Sequence, residues 1–213
     1  YPPVAGYQDL REALATKYQN ENKVPYKAEN IVVSNGAKQS IANTMLALLN
    51  KGDEVIVFSP FWVSYDALVR LAEATPVIVK GSLENDFKVT AQQVEAAITP
   101  KTRAIIFSSP CNPTGSVFSR AELEAIAKIV LKHENLLVIA DEIYEHINFT
   151  GDHVSMAALP GMFDRTITVN GFAKGFAMTG WRIGWMIVPK QQVRHYESLL
   201  QNLILCTSSL TQI

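Results

Sequence analysis

A lysine, an arginine and an aspartate stand where they could act together on one ligand. Lys174 closely follows the apolar segment 166–169, and Arg182 lies eight residues further on. Asp141 ends another apolar segment, and Tyr144 comes shortly after it. A lysine amine can form a Schiff base with an aldehyde, a carboxylate can keep a pyridine nitrogen protonated, and a guanidinium can bind a phosphate. Pyridoxal phosphate needs all three groups, so these residues predict a site for that cofactor.

The segments that must position these residues alternate between strand and helix. Short runs rich in apolar and β-branched residues are predicted as strands: 31–34, 55–58, 76–79, 104–108, 136–140, 166–169 and 183–188. Helices are predicted beside them: 7–20, 36–49, 62–73, 90–98, 119–133 and from about 191 onward. Two helices begin with capping boxes, one from Thr90 with Gln93 and one from Ser119 with Glu122. This alternation favours an α/β fold with a mostly parallel sheet buried on both faces.

The length and amino-acid composition limit the classes of protein, partner and compartment that fit this chain. The chain has 213 residues, enough for one large domain with its own core. Charged residues make up 18%, below the roughly 25% of typical soluble domains, which fits a sheet or a surface that is well covered. The net charge is −1 and no apolar run reaches about 18 residues, so we expect neither nucleic acid nor membrane as a partner. Cys111 and Cys206 indicate a reducing, cytoplasmic compartment, and the scattered histidines predict no metal site.

Further candidate residues lie in loops after strands, where ligands of open α/β sheets bind. Gly36 in the loop 35–38 could let backbone N–H groups approach an anion, or the loop could be an ordinary tight turn. Trp62 could stack on an aromatic ring, or it could belong to the core. Asn112 lies in the proline-rich loop 109–115. Its amide could face a phenolate oxygen or a substrate carboxylate, or the loop could be a plain turn.

Asp141 and Lys174 carry the strongest electrostatic expectations. A carboxylate about 4 Å from a pyridinium gains roughly 4 kcal/mol at an effective dielectric near 20, about three pKa units before desolvation. The alternative is that Asp141 caps a helix or ends its strand in solvent. Lys174 must lose its proton to react, and burial or positive charge nearby lowers a lysine pKa. Arg182 and the protonated ring would supply the charge, and Phe172, Phe176 and Trp181 could supply an apolar wall around it.

Five motifs give the chain a resemblance to the class I aminotransferases of fold type I, closest to their bacterial aspartate aminotransferase-like branch. The motifs are NGAKQ at 35–39, PFWVSY at 60–65, NPTG at 112–115, DEIY at 141–144 and AKGFAMTGWRIG at 173–184. Their order and spacing are similar over nearly the whole chain. The resemblance implies a three-layer α/β/α large domain, with a mostly parallel mixed sheet and helices on both faces. It also implies transamination between an amino acid, with aspartate expected, and a 2-oxo acid, with 2-oxoglutarate expected.

The resemblance assigns roles around the cofactor ring. Lys174 is the expected Schiff-base lysine and proton carrier, and Asp141 is the expected partner of the pyridine nitrogen. Tyr144 and Asn112 are expected to bind the phenolic oxygen. Trp62 is expected to stack on the ring, and together with Asn112 it is expected to contact the substrate. The catalytic set implied in this way consists of Lys174, Asp141 and Tyr144.

The resemblance also assigns a phosphate site and a homodimer. The backbone of Gly36, Ala37 and Lys38 is expected to hold the phosphate together with Arg182. Tyr1 matches a tyrosine that reaches the phosphate across a dimer interface, so the active sites are expected to be shared between subunits.

Two departures from the family pattern matter. Gly171 stands where many relatives carry a phosphate-binding serine, so one phosphate contact is expected to be lost. Family members are also considerably longer. Residues 1–213 are therefore expected to be the cofactor-binding large domain of a longer protein, without an N-terminal arm, a C-terminal small domain or the arginine that binds the substrate α-carboxylate. Alone, this fragment is expected to be inactive.

Other functions remain open at this point. A β-lyase or a cyclopropane-carboxylate synthase could use the same scaffold and cofactor. A regulator built on the same domain would not be an enzyme, but it would need a DNA-binding module upstream. A nicotinamide-dependent dehydrogenase fits the alternation of strands and helices, yet the chain lacks the glycine fingerprint and ribose carboxylate of that class.

Overall fold

A computed structural model describes residues 1–151 and 153–213 of the chain. In these ranges the strands are β1 Ile31–Ser34, β2 Glu54–Ser59, β3 Thr75–Lys80, β4 Thr102–Ser108, β5 Leu137–Asp141, β6 Thr166–Gly171 and β7 Gly184–Ile187. The α-helices are α1 Gln8–Lys17, α2 Ala37–Leu48, α3 Ser64–Leu71, α4 Ala91–Ala97, α5 Arg120–Val130 and α6 Val193–Leu203. No helix in the described ranges is long and apolar enough to span a bilayer.

All seven strands join one mixed sheet in the order β1-β7-β6-β5-β4-β2-β3. The strands β3, β2, β4, β5 and β6 are parallel to one another. Only β7 runs against its neighbours, since it is antiparallel to both β6 and β1. Parallel neighbours need crossover connections, and helices supply most of them. The predicted fold class, an α/β architecture with a mostly parallel mixed sheet, is confirmed.

Alternate residues of the central strands face opposite sides of the sheet, and each side has its own apolar layer. On β2, Val55 and Val57 pack with α2, α3 and α6, whereas Ile56 and Phe58 pack with α4 and α5. A third cluster packs Leu14 of α1 against β1 and β7. Because helices cover both faces, the strand residues are apolar on both sides, which explains why these strands form continuous apolar runs in the sequence.

The predicted elements are all present, and their boundaries differ from the prediction by a few residues at most. The side-chain oxygen of Thr90 accepts a 3.3 Å hydrogen bond from the backbone N–H of Gln93. Ser119 and Glu122 make the same contact at 3.3 Å, so both capping boxes are confirmed. The clearest difference lies after α1, where a π-helical turn over Tyr18–Asn22 replaces the end of the predicted helix.

The parallel register brings the ends of β4, β5 and β6 to one edge of the sheet. Ser108 pairs with Asp141, and Asp141 pairs with Val169. The chain segments that follow β4 and β6 carry Asn112 and Lys174. These side chains therefore start from neighbouring points, although they are far apart in the sequence.

Candidate active site

A cavity of about 340 Å³ opens at this edge of the sheet. Most residues predicted for the site line it: Ala37, Lys38, Trp62, Asn112, Asp141, Tyr144, Lys174 and Arg182. Gly36 is not among the lining residues but directly precedes Ala37 in the chain. Tyr1 is fully exposed and does not line the cavity. The contact predicted for Tyr1 involves a second subunit, so it stays a prediction.

Asp141 ends β5 as a buried carboxylate, with 5% of the residue exposed. The hydroxyl of Tyr65 donates a 2.6 Å hydrogen bond to Oδ2, and the backbone N–H of Ile143 donates to Oδ1 at 3.3 Å. Burial raises the pKa of Asp141 to about 6, although both hydrogen bonds act to lower that pKa. The expectation of a solvated strand end is therefore excluded. A buried carboxylate that titrates near neutrality is suited to hold a proton shared with a basic ring nitrogen.

Tyr65 is the residue that sequence reasoning missed at this site. It lies within the motif 60–65, but it received no role. The available signal was its position three residues after Trp62, at the start of a helix, because such residues lie on the same helix face. The two rings do meet, edge to face, with centroids 5.6 Å apart. A tyrosine next to a ring-stacking candidate could thus have been added to the site.

Asn112 and Tyr144 converge on one point of the cavity. The side-chain amide of Asn112 donates to the Tyr144 hydroxyl at 3.4 Å. The Nζ atom of Lys174 lies 5.8 Å from the centroid of the Tyr144 ring. The backbone N–H of Asn112 donates to Oγ of Ser108 at 3.3 Å, which ties the loop to the end of β4. An amide, a phenol and an amine therefore surround the same region, as a shared oxygen ligand would require.

The expected apolar wall around Lys174 is wrong. Lys174 is exposed, and the three aromatic residues proposed for the wall do not line the cavity. Phe172 packs against Trp185 with ring centroids 4.8 Å apart, on the side of α1 and β7. Phe176 and Trp181 are 54% and 55% exposed. The cause is geometric, because the chain leaves β6 through a turn that points Phe172 into the apolar cluster beside β7.

Arg182 lines the cavity and contacts Gly36, which lies just outside it. Gly36 has φ +86°, and a Cβ atom placed on it would lie 2.6 Å from Nη2 of Arg182. The guanidinium is held in place because Nη2 donates to the carbonyl of Asn35 at 3.2 Å and Nη1 donates to that of Thr179 at 2.9 Å. The helix α2 begins at Ala37, and the first N–H groups of a helix lack partners within it. Such a cradle of N–H groups and guanidinium fits a phosphate.

Trp62 lines the same cavity as Arg182 and Asp141. The Nζ atom of Lys38 is 4.9 Å from the centroid of the indole ring, a distance typical of a cation–π contact. Trp62 is partly buried and packs against the apolar layer that contains Tyr65. Both interpretations of the sequence are thus partly met, since Trp62 belongs to the edge of the core and lines the cavity.

Gly171 occupies a position that has no room for a side chain. A Cβ atom placed there would lie 2.7 Å from the carbonyl oxygen of Ile183 and 2.9 Å from Cα of Gly184. A serine at this position would force β6 and β7 apart. The departure from the family pattern is therefore built into the pairing of these two strands.

A second group of charges lies behind the cavity and was not predicted. Glu142 is buried, and its Oε2 atom lies 3.2 Å from Nε2 of His153. Burial alone would lower the pKa of His153, but Glu142 and Glu145 outweigh it and raise that pKa. Burial would raise the pKa of Glu145, but the bound ammonium of Lys17 lowers it. Ligand atoms of the two glutamates and His153 lie within 4.8 Å of one another, yet Lys17 already neutralises Glu145, so ion pairs account for the cluster without a metal.

The sequence of this chain matches a known protein family and its curated members. The sequence model of the family described as aminotransferase class I and II matches residues 1–213. A bifunctional aspartate aminotransferase and glutamate/aspartate-prephenate aminotransferase of Petunia hybrida is 49% identical over 213 residues, which are 100% of this chain and 44% of the relative. An aspartate aminotransferase of Pinus pinaster is 51% identical over 195 residues, which are 91% of this chain and 40% of the relative.

Solved structures give the same result. The aspartate aminotransferase of Thermus thermophilus with maleate superposes with a TM-score of 0.96 at 42% identity, covering 100% of this chain and 55% of that one. The aspartate aminotransferase of Rhizobium meliloti superposes with a TM-score of 0.97 at 38% identity, covering 100% and 54%. The chain thus spans about half the length of the relatives that it matches.

Proposed function

The chain belongs to the class I and II aminotransferase family, and from this premise we propose that the whole protein transfers an amino group between an amino acid and a 2-oxo acid with pyridoxal phosphate. The observation that carries the proposal is the arrangement around one cavity of Asp141, the Asn112–Tyr144 pair, Lys174 and Arg182. The names of the similar relatives support aspartate as amino donor. The acceptor proposed with it, 2-oxoglutarate, is the one that the motif resemblance implies. The names of the relatives favour transamination over β-elimination, cyclopropane-carboxylate synthesis or a regulatory role.

The donor set fits the cofactor in charge and shape. Arg182 and the start of α2 would hold the phosphate, and Asp141 at the other end of the cavity would hold the pyridine nitrogen. Asn112 and Tyr144 would bind the phenolic oxygen, and Trp62 would cover the ring. When bound, the cofactor supplies an aldehyde that links to amines and a ring that accepts electrons from the substrate carbon.

The residues of the chain supply binding, orientation and proton transfer. Asp141 would hold the ring nitrogen in its protonated form, because a buried carboxylate is stabilised by an adjacent positive charge. Lys174 would hold the cofactor through Nζ, and its amine, once displaced by the substrate amine, would carry a proton to and from the substrate carbon. The ring of Tyr144, with its centroid 5.8 Å from Nζ of Lys174, would lie beside that amine.

Domain organisation, assembly and location are part of the same proposal. Residues 1–213 are the cofactor-binding large domain, and the whole protein is a cytoplasmic homodimer with shared active sites. The match of Tyr1 to a family tyrosine that reaches the phosphate across a dimer interface supports a role for this residue in a contact with a partner subunit. The experiment for this part is sedimentation of the full-length protein with and without Tyr1→Ala, combined with titration of pyridoxal phosphate. Weaker cofactor binding by an intact dimer is expected. Unchanged binding would remove Tyr1 from the phosphate site.

Glutamate formation from aspartate and 2-oxoglutarate by the full-length protein tests the reaction itself. Lys38 and Lys174 are the two lysines that line the cavity in the described part of the chain, so they form a matched pair. Lys174→Ala should abolish turnover, whereas Lys38→Ala should retain a measurable rate. Release of pyruvate or ammonia without glutamate would instead indicate a lyase.

A further inference from the structure

Tyr65, Ser108 and Asp141 are polar residues that line the same part of the sheet edge and the same cavity. The phenol donates its single hydrogen to Oδ2 of Asp141 at 2.6 Å. Burial and the charge of Asp141 raise the pKa of Tyr65, whereas the hydroxyl of Ser108 acts to lower that pKa, as a neighbouring donor does. The serine oxygen in turn accepts the backbone N–H of Asn112 at 3.3 Å. Two hydrogen bonds, from Tyr65 to Asp141 and from Asn112 to Ser108, thus lie side by side at the cavity, because Ser108 pairs with Asp141 across the strands β4 and β5.

Packing fixes the position of the phenol. Tyr65 is 1% exposed, and it lies on the inner side of α3. The ring of Trp62 meets it edge to face at 5.6 Å, and the ring of Phe61 stacks on it at 6.5 Å. A buried ring held between two aromatic neighbours has little rotamer freedom. The hydroxyl of Tyr65 is therefore directed at Asp141 already in the cofactor-free protein.

We propose that Tyr65 is a positioning residue that holds Asp141 ionised and oriented towards the cavity, next to Ser108 and its hydrogen bond from Asn112. This arrangement joins the two ends of the proposed ring site, because Asp141 would hold the pyridine nitrogen and Asn112 the phenolic oxygen. The reference to the ring rests on the proposed function. The effect on Asp141 itself does not, because it is a property of the cofactor-free protein.

The charges around Asp141 define what removal of the phenol hydroxyl should do. Burial is the largest influence and raises the Asp141 pKa, and the adjacent Glu142 raises it further. The hydrogen bond from Tyr65 lowers it, as does the N–H of Ile143. The cations that line the same cavity are Lys38, Lys174 and Arg182. Because these groups remain in a Tyr65→Phe variant, the change in titration can be assigned to the lost hydroxyl.

The experiment is an NMR titration of the Asp141 carboxyl in the cofactor-free, full-length protein. Tyr65→Phe should raise the Asp141 pKa by about one to two units, the size of a hydrogen bond to a charged acceptor. Tyr26→Phe is the matched control, because Tyr26 is equally buried and its hydroxyl contacts Thr168 at 3.2 Å instead. That control should leave the titration unchanged. An equal Asp141 pKa in wild type and Tyr65→Phe would overturn the inference.

Two further measurements decide the role of Tyr65 even if Tyr65→Phe does not fold or the proposed function is wrong. If Tyr65→Phe does not fold, Ser108→Ala replaces it, and this variant should raise the Asp141 pKa by a smaller amount because the phenol loses a neighbouring donor. No shift in Ser108→Ala would then count against the inference. The wild-type transamination assay separates the two proposals. If it fails, the proposed function fails, while the titration still decides the role of Tyr65.

Discussion

Gly36 and the guanidinium of Arg182 lie so close that no side chain fits between them. A Cβ atom on Gly36 would be 2.6 Å from Nη2 of Arg182, and the backbone there has φ +86°. Glycine is required at this position for two independent reasons, backbone conformation and contact. The contact also explains how a residue early in the chain and one far along it can form a single anion site.

Gly36→Ala should therefore weaken phosphate binding as well as folding. The strained backbone costs about 1–3 kcal/mol, and the methyl group displaces the arginine that would hold the phosphate. Gly52→Ala is the control, since Gly52 has the same φ of +86° but nothing within 4 Å of the added atom. We expect both variants to lose stability in urea titrations, and only Gly36→Ala to lose affinity for pyridoxal phosphate. Equal affinities of the two variants for pyridoxal phosphate would contradict a phosphate site formed by Gly36 and Arg182.

Asp141→Asn should lower turnover without lowering the free energy of unfolding. Loss of the carboxylate–pyridinium attraction of roughly 4 kcal/mol corresponds to about a thousandfold lower turnover. The cofactor-free variant, in contrast, should be at least as stable as wild type at pH 8, because an ionised buried group has been removed. The measurements are the rate of glutamate formation and the free energy of unfolding. Near-normal turnover would remove Asp141 from the catalytic set.

The sign of the pH dependence follows from the raised Asp141 pKa. A carboxyl with a pKa raised from 3.8 to about 6 by burial favours folding when it is protonated. That contribution is fully present below pH 3.8 and is lost as pH rises through about 6. The advantage of Asp141→Asn, on the order of 1–3 kcal/mol, should accordingly appear at pH 8 and vanish near pH 4.

His153 should stabilise the fold in its charged form. Its pKa is raised because Glu142 and Glu145 outweigh burial, so its contribution is fully present below the unfolded value of 6.5. The contribution is lost as pH rises through the higher folded pKa. We expect His153→Gln to be most destabilised near pH 5.5, with the deficit shrinking at pH 8, in unfolding measurements on cofactor-free protein. His195→Gln, at an exposed site, is the control substitution for the general effect of replacing a histidine. A deficit that is independent of pH would contradict the ion pair.

Much of the fold could be predicted from the sequence, because strands covered on both faces form apolar runs and capping boxes mark helix starts. The antiparallel placement of β7 could not, since its four residues are as apolar as those of the parallel strands. For the site, the position after each strand predicted which residues would meet in one cavity. The sequence did not predict which way the side chains after β6 point. For that reason the apolar wall suggested around Lys174, which included Phe172, was wrong.

Contacts between residues distant in the chain explain the other omissions. Tyr65 meets Asp141 across two elements, and the ion pair of Glu142 with His153 joins two loops. Neither contact has a local pattern in the sequence, although the spacing of Tyr65 from Trp62 could have placed the phenol near the site. The lack of space at Gly171 depends on the pairing of β6 with β7, so the glycine could be seen as a departure from the family but not explained.

The identity of the reactive amine is the most direct test of the account. The full-length protein is incubated with pyridoxal phosphate and reduced with borohydride, and its peptides are then mapped by mass spectrometry. Lys174 and Lys38 both line the cavity, and they lie on well-separated peptides. The account predicts the cofactor on Lys174, with labelling abolished in Lys174→Ala and retained in Lys38→Ala. Cofactor found on Lys38, or on a lysine outside the cavity, would contradict it.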